Sequence, residues 1–274
     1  MNAYLNYIVE ANLCLALFYA CYHVFLRNET TQWFKRAYLL GGILCSFLFP
    51  LVQFNTTASL IPSVSNYAPV TLLPELGIGD SVGADSSPLA STWTIADLIA
   101  TVYLLGLAVM IIHTVIAIRK ITSLIYRCSP VEESGRVVIL ESSEPVSSFS
   151  VFGIVVLGNT NGLSETEKEQ IRRHELVHVA RYHTWDVLLV ELVCIACWFN
   201  PVVYRLRKAL SDVHEYEADE LTTRGVDVQQ YCSLLARITL ESAGFSLANH
   251  FNKSRIVKRI NMMKTEKRKM SRWK

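Results

Sequence analysis

Charged residues are scarce in this sequence. Asp, Glu, Lys and Arg make up 18% of the 274 residues, whereas hydrophobic residues make up 51%. An average soluble domain has about 25% charged residues, and disordered chains contain far fewer apolar residues than this one. The composition excludes a disordered chain and argues against a purely soluble protein. The net charge of +2 hides a basic segment, residues 253–274, with ten Lys and Arg residues against one acid.

A disulfide framework is also missing. The seven cysteines are an odd number, and five of them fall inside apolar runs. Cys194 and Cys197 form a C-x-x-C pair, a spacing found in redox and metal sites. Apolar residues flank the pair on both sides, however. We therefore interpret these cysteines as small buried side chains, since free cysteine is among the most frequently buried residue types.

Three apolar runs are long enough to cross a membrane. They cover residues 4–25, 37–54 and 95–118. As helices they extend about 27–36 Å, and the hydrocarbon layer of a bilayer is about 30 Å thick. Neither a basic start nor a small-residue cleavage site accompanies the first run, so we interpret it as a retained span. The sequence thus predicts a membrane bundle over residues 1–118.

Positive charge alternates between the connections. The loop after the first run holds three basic residues, and an Arg-Lys pair follows the third run, whereas loop 55–93 holds no Lys or Arg. Basic residues accumulate on the cytoplasmic side of membranes. We therefore expect the N-terminus and loop 55–93 outside, and residues 119–274 in the cytoplasm.

The cytoplasmic part begins with two β-rich stretches, residues 136–141 and 149–157, which predict a hairpin or a small sheet. A helix is then expected to begin at Ser164 and to run to about Tyr182. The expectation rests on the sequence Ser-Glu-Thr-Glu at 164–167, which has the form of a capping box.

Two motifs carry the candidate chemistry. His174, Glu175 and His178 form an H-E-x-x-H sequence. Imidazoles four residues apart on a helix face the same way and can share a zinc ion, and the glutamate between them can accept a proton. On a later helix, which an Asn-Pro pair begins, Glu215 and Asp219 share one face. Alone the second motif is best interpreted as an acidic patch, but together the two motifs favour a metal site.

The apolar segment between the motifs, residues 185–199, is too short for a complete crossing. Its 15 residues span only about 22 Å as a helix. A crossing would also place His178 and Glu215 on opposite sides of the bilayer, where they cannot share a metal. We expect a buried core helix or a shallow re-entrant one.

This arrangement resembles the membrane-integrated zinc metallopeptidases of the BlaR/MecR type. Three N-terminal spans, H-E-x-x-H, the phrase Trp-Phe-Asn-Pro at 198–201 and E-x-x-x-D all match, over nearly the whole chain. The resemblance implies a mainly α fold: three transmembrane helices, then an α+β gluzincin-like peptidase domain with a small sheet, in a bacterial cytoplasmic membrane. It implies these roles: His174, His178 and Glu215 as zinc ligands, Glu175 as general base, and Asp219 as a partner of a ligand.

Some features stay open within the resemblance. The two motifs also occur in housekeeping prenyl-protein and heat-shock membrane peptidases. The 274 residues contain no penicillin-binding sensor domain, so β-lactam sensing is not supported. A donor for the reaction's oxyanion is required, and His214 and Tyr216 are the candidates, with Tyr182 and His183 also near in sequence. We expect His183 on the surface.

The leading hypothesis is a membrane-anchored zinc endopeptidase that cleaves a cytoplasmic or membrane-proximal protein in signal transduction. Its expected partners are a protein or peptide substrate and the lipid bilayer, with no nucleic acid. A housekeeping membrane protease is the alternative, and a receptor or scaffold with a structural metal site is a third. Glu175 argues against the third, because a structural site has no use for a general base. The stretch 149–157 can offer an edge for an extended substrate, although packing within the sheet explains it equally well.

Overall fold

Helices dominate the computed structural model, and one small sheet lies beside them. The structure describes residues 2–52, 94–144, 146–158, 160, 162–242 and 255–265. The predicted outside loop 55–93 and much of the basic segment 253–274 lie outside the described residues. The helices are α1 (Asn2–Cys21), α2 (Gln32–Leu48), α3 (Ile95–Tyr126), α4 (Glu165–Ala180), α5 (His183–Ala196), α6 (Pro201–Thr222), α7 (Val228–Ser242) and α8 (255–265). The strands are β1 (Ser129–Ser134), β2 (Val137–Glu141), β3 (Phe149–Val151) and β4 (Ile154–Leu157).

Three helical segments in the described chain are long and apolar enough to cross a membrane. They run from Asn6 to Leu26, Gln32 to Leu51 and Ile95 to Tyr126, which confirms the three predicted spans with shifted ends. The third helix continues past the predicted end at residue 118. The Arg-Lys pair at 119–120 ends the apolar run and not the helix, since both residues are good helix formers.

The first two membrane helices pack against α6 through one apolar core. Leu15 of α1 and Ile43 of α2 are buried there together with Val203 and Leu210 of α6. By contrast, α3 approaches α5, where Gly106 lies against the indole of Trp198; a Cβ at this glycine would lie 2.2 Å from that ring. The membrane bundle is therefore joined to the remainder of the fold mainly through α1 and α2.

The sheet has the order β1-β2-β4-β3, and β2 and β4 pair in parallel while the outer pairs are antiparallel. The predicted small sheet is confirmed, and the stretch 149–157 contributes two of its strands. Phe152 and Gly153 both have positive φ, and they turn the chain between β3 and β4. A Cβ at Gly153 would lie 2.8 Å from a backbone oxygen, so glycine fits this turn.

The helices that flank the site begin where their caps predict. Ser164 accepts from the backbone N–H of Glu167 in a complete capping box at the start of α4. Asn200 accepts from the N–H of Val202 at 2.9 Å and begins α6. Between them, α5 is a helix of 14 residues, and its Cys194, like Cys197 just beyond it, is buried in the core shared with α6. The segment therefore forms a short helix with one face in this core and with exposed apolar side chains such as Trp185 and Leu192 elsewhere.

Candidate metal centre

Helices α4 and α6 bring together the three predicted ligands. The Nε2 atoms of His174 and His178 lie 3.3 Å apart. An oxygen of Glu215 is 3.6 Å from Nε2 of His174, and its other oxygen is 3.9 Å from Nε2 of His178. The three side chains form a group whose ligand atoms all lie within 4.8 Å of one another.

The geometry of these atoms suits a small divalent cation. Ligands at about 2.0–2.1 Å from a tetrahedral zinc lie about 3.4 Å from one another, close to the three distances between the side chains. Two imidazoles and one carboxylate are a donor set that catalytic zinc uses, with the fourth position open. Burial lowers the pKa of His178 to about 3, so its ring stays neutral and Nε2 can donate its lone pair to a metal.

Electrostatics around Glu215 keep its carboxylate charged. Burial favours the neutral acid, but the charge of Arg259 and the hydrogen bond with His174 outweigh it and hold the pKa of Glu215 far below its usual range. The Nη1 atom of Arg259 is 2.8 Å from this carboxylate. A charged ligand is therefore available at every pH at which the protein would work.

Glu175 lies beside this group with its side chain directed into the same cavity. The residue is 7% exposed, and burial raises the pKa of its carboxyl. The nearby Ser150 side chain of β3 lowers this pKa and offsets part of the rise. A buried carboxylate with a raised pKa is the type of group that takes and returns a proton during catalysis.

Behind His174, a chain of hydrogen bonds leads to Asp219. The Tyr231 hydroxyl lies 2.9 Å from Nδ1 of His174 and donates to Asp219 at 3.0 Å. Arg259 donates twice to the same carboxylate, at 2.8 and 2.6 Å. Asp219 is fully buried. It therefore supports a candidate ligand through Tyr231, in the place where the motif predicts such a partner.

Behind His178, the partner is another histidine. The Nδ1 atoms of His178 and His183 are 2.7 Å apart, and Nε2 of His183 lies 3.2 Å from Glu217. The prediction of a surface position for His183 is wrong, because this residue is only 3% exposed. Tyr182 before it has positive φ and turns the chain, which brings His183 back under α4.

The sequence matches a known protein-family model. The BlaR1 peptidase M56 family model matches residues 37–263, which is most of the chain. The chain belongs to this family. Together with the membrane-spanning helices, the match makes it a membrane-associated peptidase. No curated protein matches the sequence.

In this M56 peptidase the candidate oxyanion donors differ in their surroundings. His214 is buried, its Nε2 lies 2.7 Å from Asp186, and its ring stacks on His183 at 4.0 Å. Tyr216 lines the cavity, and burial, with the charges of nearby aspartates, raises its pKa to about 12. The hydroxyl of Tyr216 therefore keeps its proton and can donate a hydrogen bond, whereas Nε2 of His214 already pairs with Asp186.

The site opens into a cavity of about 990 Å³. Its walls include strand β3, the three candidate ligands and, from the C-terminal part of α3, Ile121 and Leu124. Strand β3 is the edge of the sheet on this side. A peptidase cavity bounded by the outermost strand of the described sheet can hold an extended peptide by main-chain hydrogen bonds.

Three residues of the M56 site were not identified from the sequence: Arg36, Tyr231 and Arg259. They come from three different helices, and none of them belongs to a motif with fixed spacing. The basic character of segment 253–274 was visible, but it gave no sign that Arg259 reaches two carboxylates on α6.

Proposed function

We propose that this M56 peptidase is a zinc-dependent endopeptidase with His174, His178 and Glu215 as ligands and Glu175 as general base. The observation that carries the proposal is the convergence of the two Nε2 atoms and the Glu215 carboxylate at 3.3–3.9 Å. A zinc ion held there would polarise the scissile carbonyl and lower the pKa of a bound water to about 7.

The residues around the ion would divide the remaining work. Glu175 takes the proton of the attacking water and returns it to the leaving amine, a task that suits its buried, raised-pKa carboxyl. Both candidate oxyanion donors line the cavity, and we favour Tyr216 because its hydroxyl retains its proton, whereas Nε2 of His214 is paired with Asp186. Asp219 holds Tyr231 in position behind His174.

The substrate we propose is a protein segment close to the membrane, bound as an extra strand along β3. Two features support this class of substrate. The β3 edge lies in the cavity that contains Glu175, and the same cavity is bounded by the end of the membrane helix α3. Cleavage of such a segment fits a role in signal transduction, the setting we infer from the BlaR/MecR resemblance.

Activity and metal content test the proposal together. Full-length protein in detergent micelles is compared with Glu175→Gln, and with Glu169→Gln on the exposed face of α4 as the matched control. With β-casein as the probe, Glu175→Gln should cleave about 10²–10⁴-fold more slowly and keep one zinc per chain by elemental analysis. His174→Ala and Glu215→Ala should lose the zinc. Near-normal cleavage by Glu175→Gln would end the mechanism, and wild-type protein without zinc would end the metal assignment.

We also propose that the peptidase part, residues 119–274, faces the cytoplasm, as the alternation of basic loops indicates. Single cysteines at Asp80, Thr184 and Arg205, in a protein without native cysteine, are treated with a membrane-impermeant thiol reagent on intact cells. Only Asp80→Cys should react. Labelling of Arg205→Cys but not of Thr184→Cys would mean that α5 crosses the bilayer.

A further inference from the structure

The network behind His178 continues past Glu217 to the start of a membrane helix. Arg36 lies in the first turns of α2, and its Nη1 is 3.7 Å from Glu217. Its Nε donates to Asp186 at 2.6 Å, and its Nη2 donates to the backbone oxygen of Arg181 at 2.7 Å. One side chain of the membrane bundle thus contacts α5, α6 and the end of α4.

A metal on Nε2 of His178 fixes the direction of these hydrogen bonds. The ring must then carry its proton on Nδ1, which donates to Nδ1 of His183. His183 in turn carries its proton on Nε2 and donates to Glu217. Each ring nitrogen in this chain of hydrogen bonds is then fixed as a donor or as an acceptor. If Glu217 moved away, the His183 ring would lose its fixed orientation, and so would the His178 ring.

The network is buried, so water cannot easily take the place of any of its hydrogen-bonding side chains. His183 is 3% exposed and Glu217 is 4% exposed. The carboxylates of Glu217 and Asp186 both pair with Arg36, whose side chain is 19% exposed. A second branch runs from Asp186 to His214, which stacks on His183 and completes the enclosure.

We propose that His183 and Arg36 are positioning residues for the metal ligand His178, so that the membrane helix α2 forms part of the support of the metal centre. The proposal rests on the metal site proposed above. Partners that orient metal-binding histidines typically contribute about 10–100-fold to metal affinity. Here the partner is connected in turn to a residue in the membrane bundle, which gives a movement of α2 a direct effect on a metal ligand.

The test measures Co²⁺ affinity of the full-length protein in micelles, by chelator competition and by the visible absorption of the bound ion. His183→Leu and Arg36→Met should each weaken binding, His183→Leu by about 10–100-fold. His183→Asn can place an amide oxygen near the former Nδ1 and should recover much of the loss. If Arg36 acts through His183, the two losses should not add in the double variant.

Controls separate this role from a general loss of packing. Arg207→Met breaks another Arg–Glu pair between α6 and α5, Arg207 with Glu191, and should leave Co²⁺ affinity within about twofold of wild type. Should Arg36→Met fail to fold, Glu217→Gln replaces it in the cycle. Affinities of His183→Leu and the Arg36 or Glu217 variant equal to wild type, or losses that add fully, would overturn the positioning roles. Wild-type protein that binds no metal would overturn the metal site itself.

Discussion

His174 and His178 lie four residues apart on α4, yet the residues behind them come from opposite parts of the chain. Tyr231 of α7 and Arg259 of α8 complete the network behind His174. Behind His178, the network runs through α5 to Arg36 of α2. The two histidines proposed as ligands are thus supported by the C-terminal helices on one side and by the membrane bundle on the other. A peptidase part cut at residue 118 would lack half of this support.

The two networks also differ in how their central carboxylate is neutralised. Among the described residues, Arg259 is the cation that pairs with Asp219, and it also faces Glu215. Glu217 has two cations, Arg36 and Arg181. Loss of Asp219 should therefore cost more than loss of Glu217, because Asp219 is fully buried and one of the two cations beside Glu217, Arg181, is half-exposed.

The largest effect is expected for Asp219→Ala. It removes a fully buried carboxylate that accepts two hydrogen bonds from Arg259 and one from Tyr231. Arg259 keeps Glu215, but three buried donors lose their acceptor, and removing one member of a buried pair costs about 3–5 kcal/mol. We expect that loss in the free energy of unfolding, measured with denaturant in mixed micelles. Glu217→Ala should cost less, because Arg36 keeps Asp186 and the half-exposed Arg181 can turn to solvent. Equal losses for the two variants would remove the distinction between the networks.

An intermediate effect is expected for Tyr231→Phe. The change removes one hydroxyl, which leaves the Nδ1 proton of His174 without its acceptor and Asp219 without one donor. A buried group left unpaired costs about 1–3 kcal/mol, and we expect zinc affinity to fall by about 10–100-fold. Chelator competition measures it, with Tyr204→Phe as control, because the Tyr204 hydroxyl bonds a carbonyl far from the metal centre. Unchanged affinity would show that Tyr231 does not orient His174.

The proposed ligands could be predicted from the sequence, whereas most of the residues that support them could not. His174, His178, Glu215 and Asp219 occur as pairs four residues apart, and a helix alone makes each pair share a face. Tyr231 lies 57 positions from His174, so their contact depends on how α7 packs and on no local pattern. The three membrane helices, in contrast, depend on a local pattern, and hydropathy predicts them. The sheet is predicted only in outline, because the turn at Phe152 and Gly153 interrupts an apolar run. The general base is not yet tested, and its role stays a prediction.

The smallest effect is expected for Arg181→Met. This arginine lies 3.1 Å from Glu217, but its side chain is 50% exposed, and exposed ion pairs contribute about 0–1 kcal/mol. Its other contribution, the backbone oxygen that accepts from Arg36, survives the substitution. Unfolding free energy should therefore fall by less than about 1 kcal/mol, and the difference should shrink further in high salt, which screens exposed charges. Co²⁺ affinity should stay at the wild-type value, because Arg36 still faces Glu217. A loss of affinity as large as that of Arg36→Met would mean that Glu217 is held from the solvent side, and that the membrane helix does not distinguish the network behind His178.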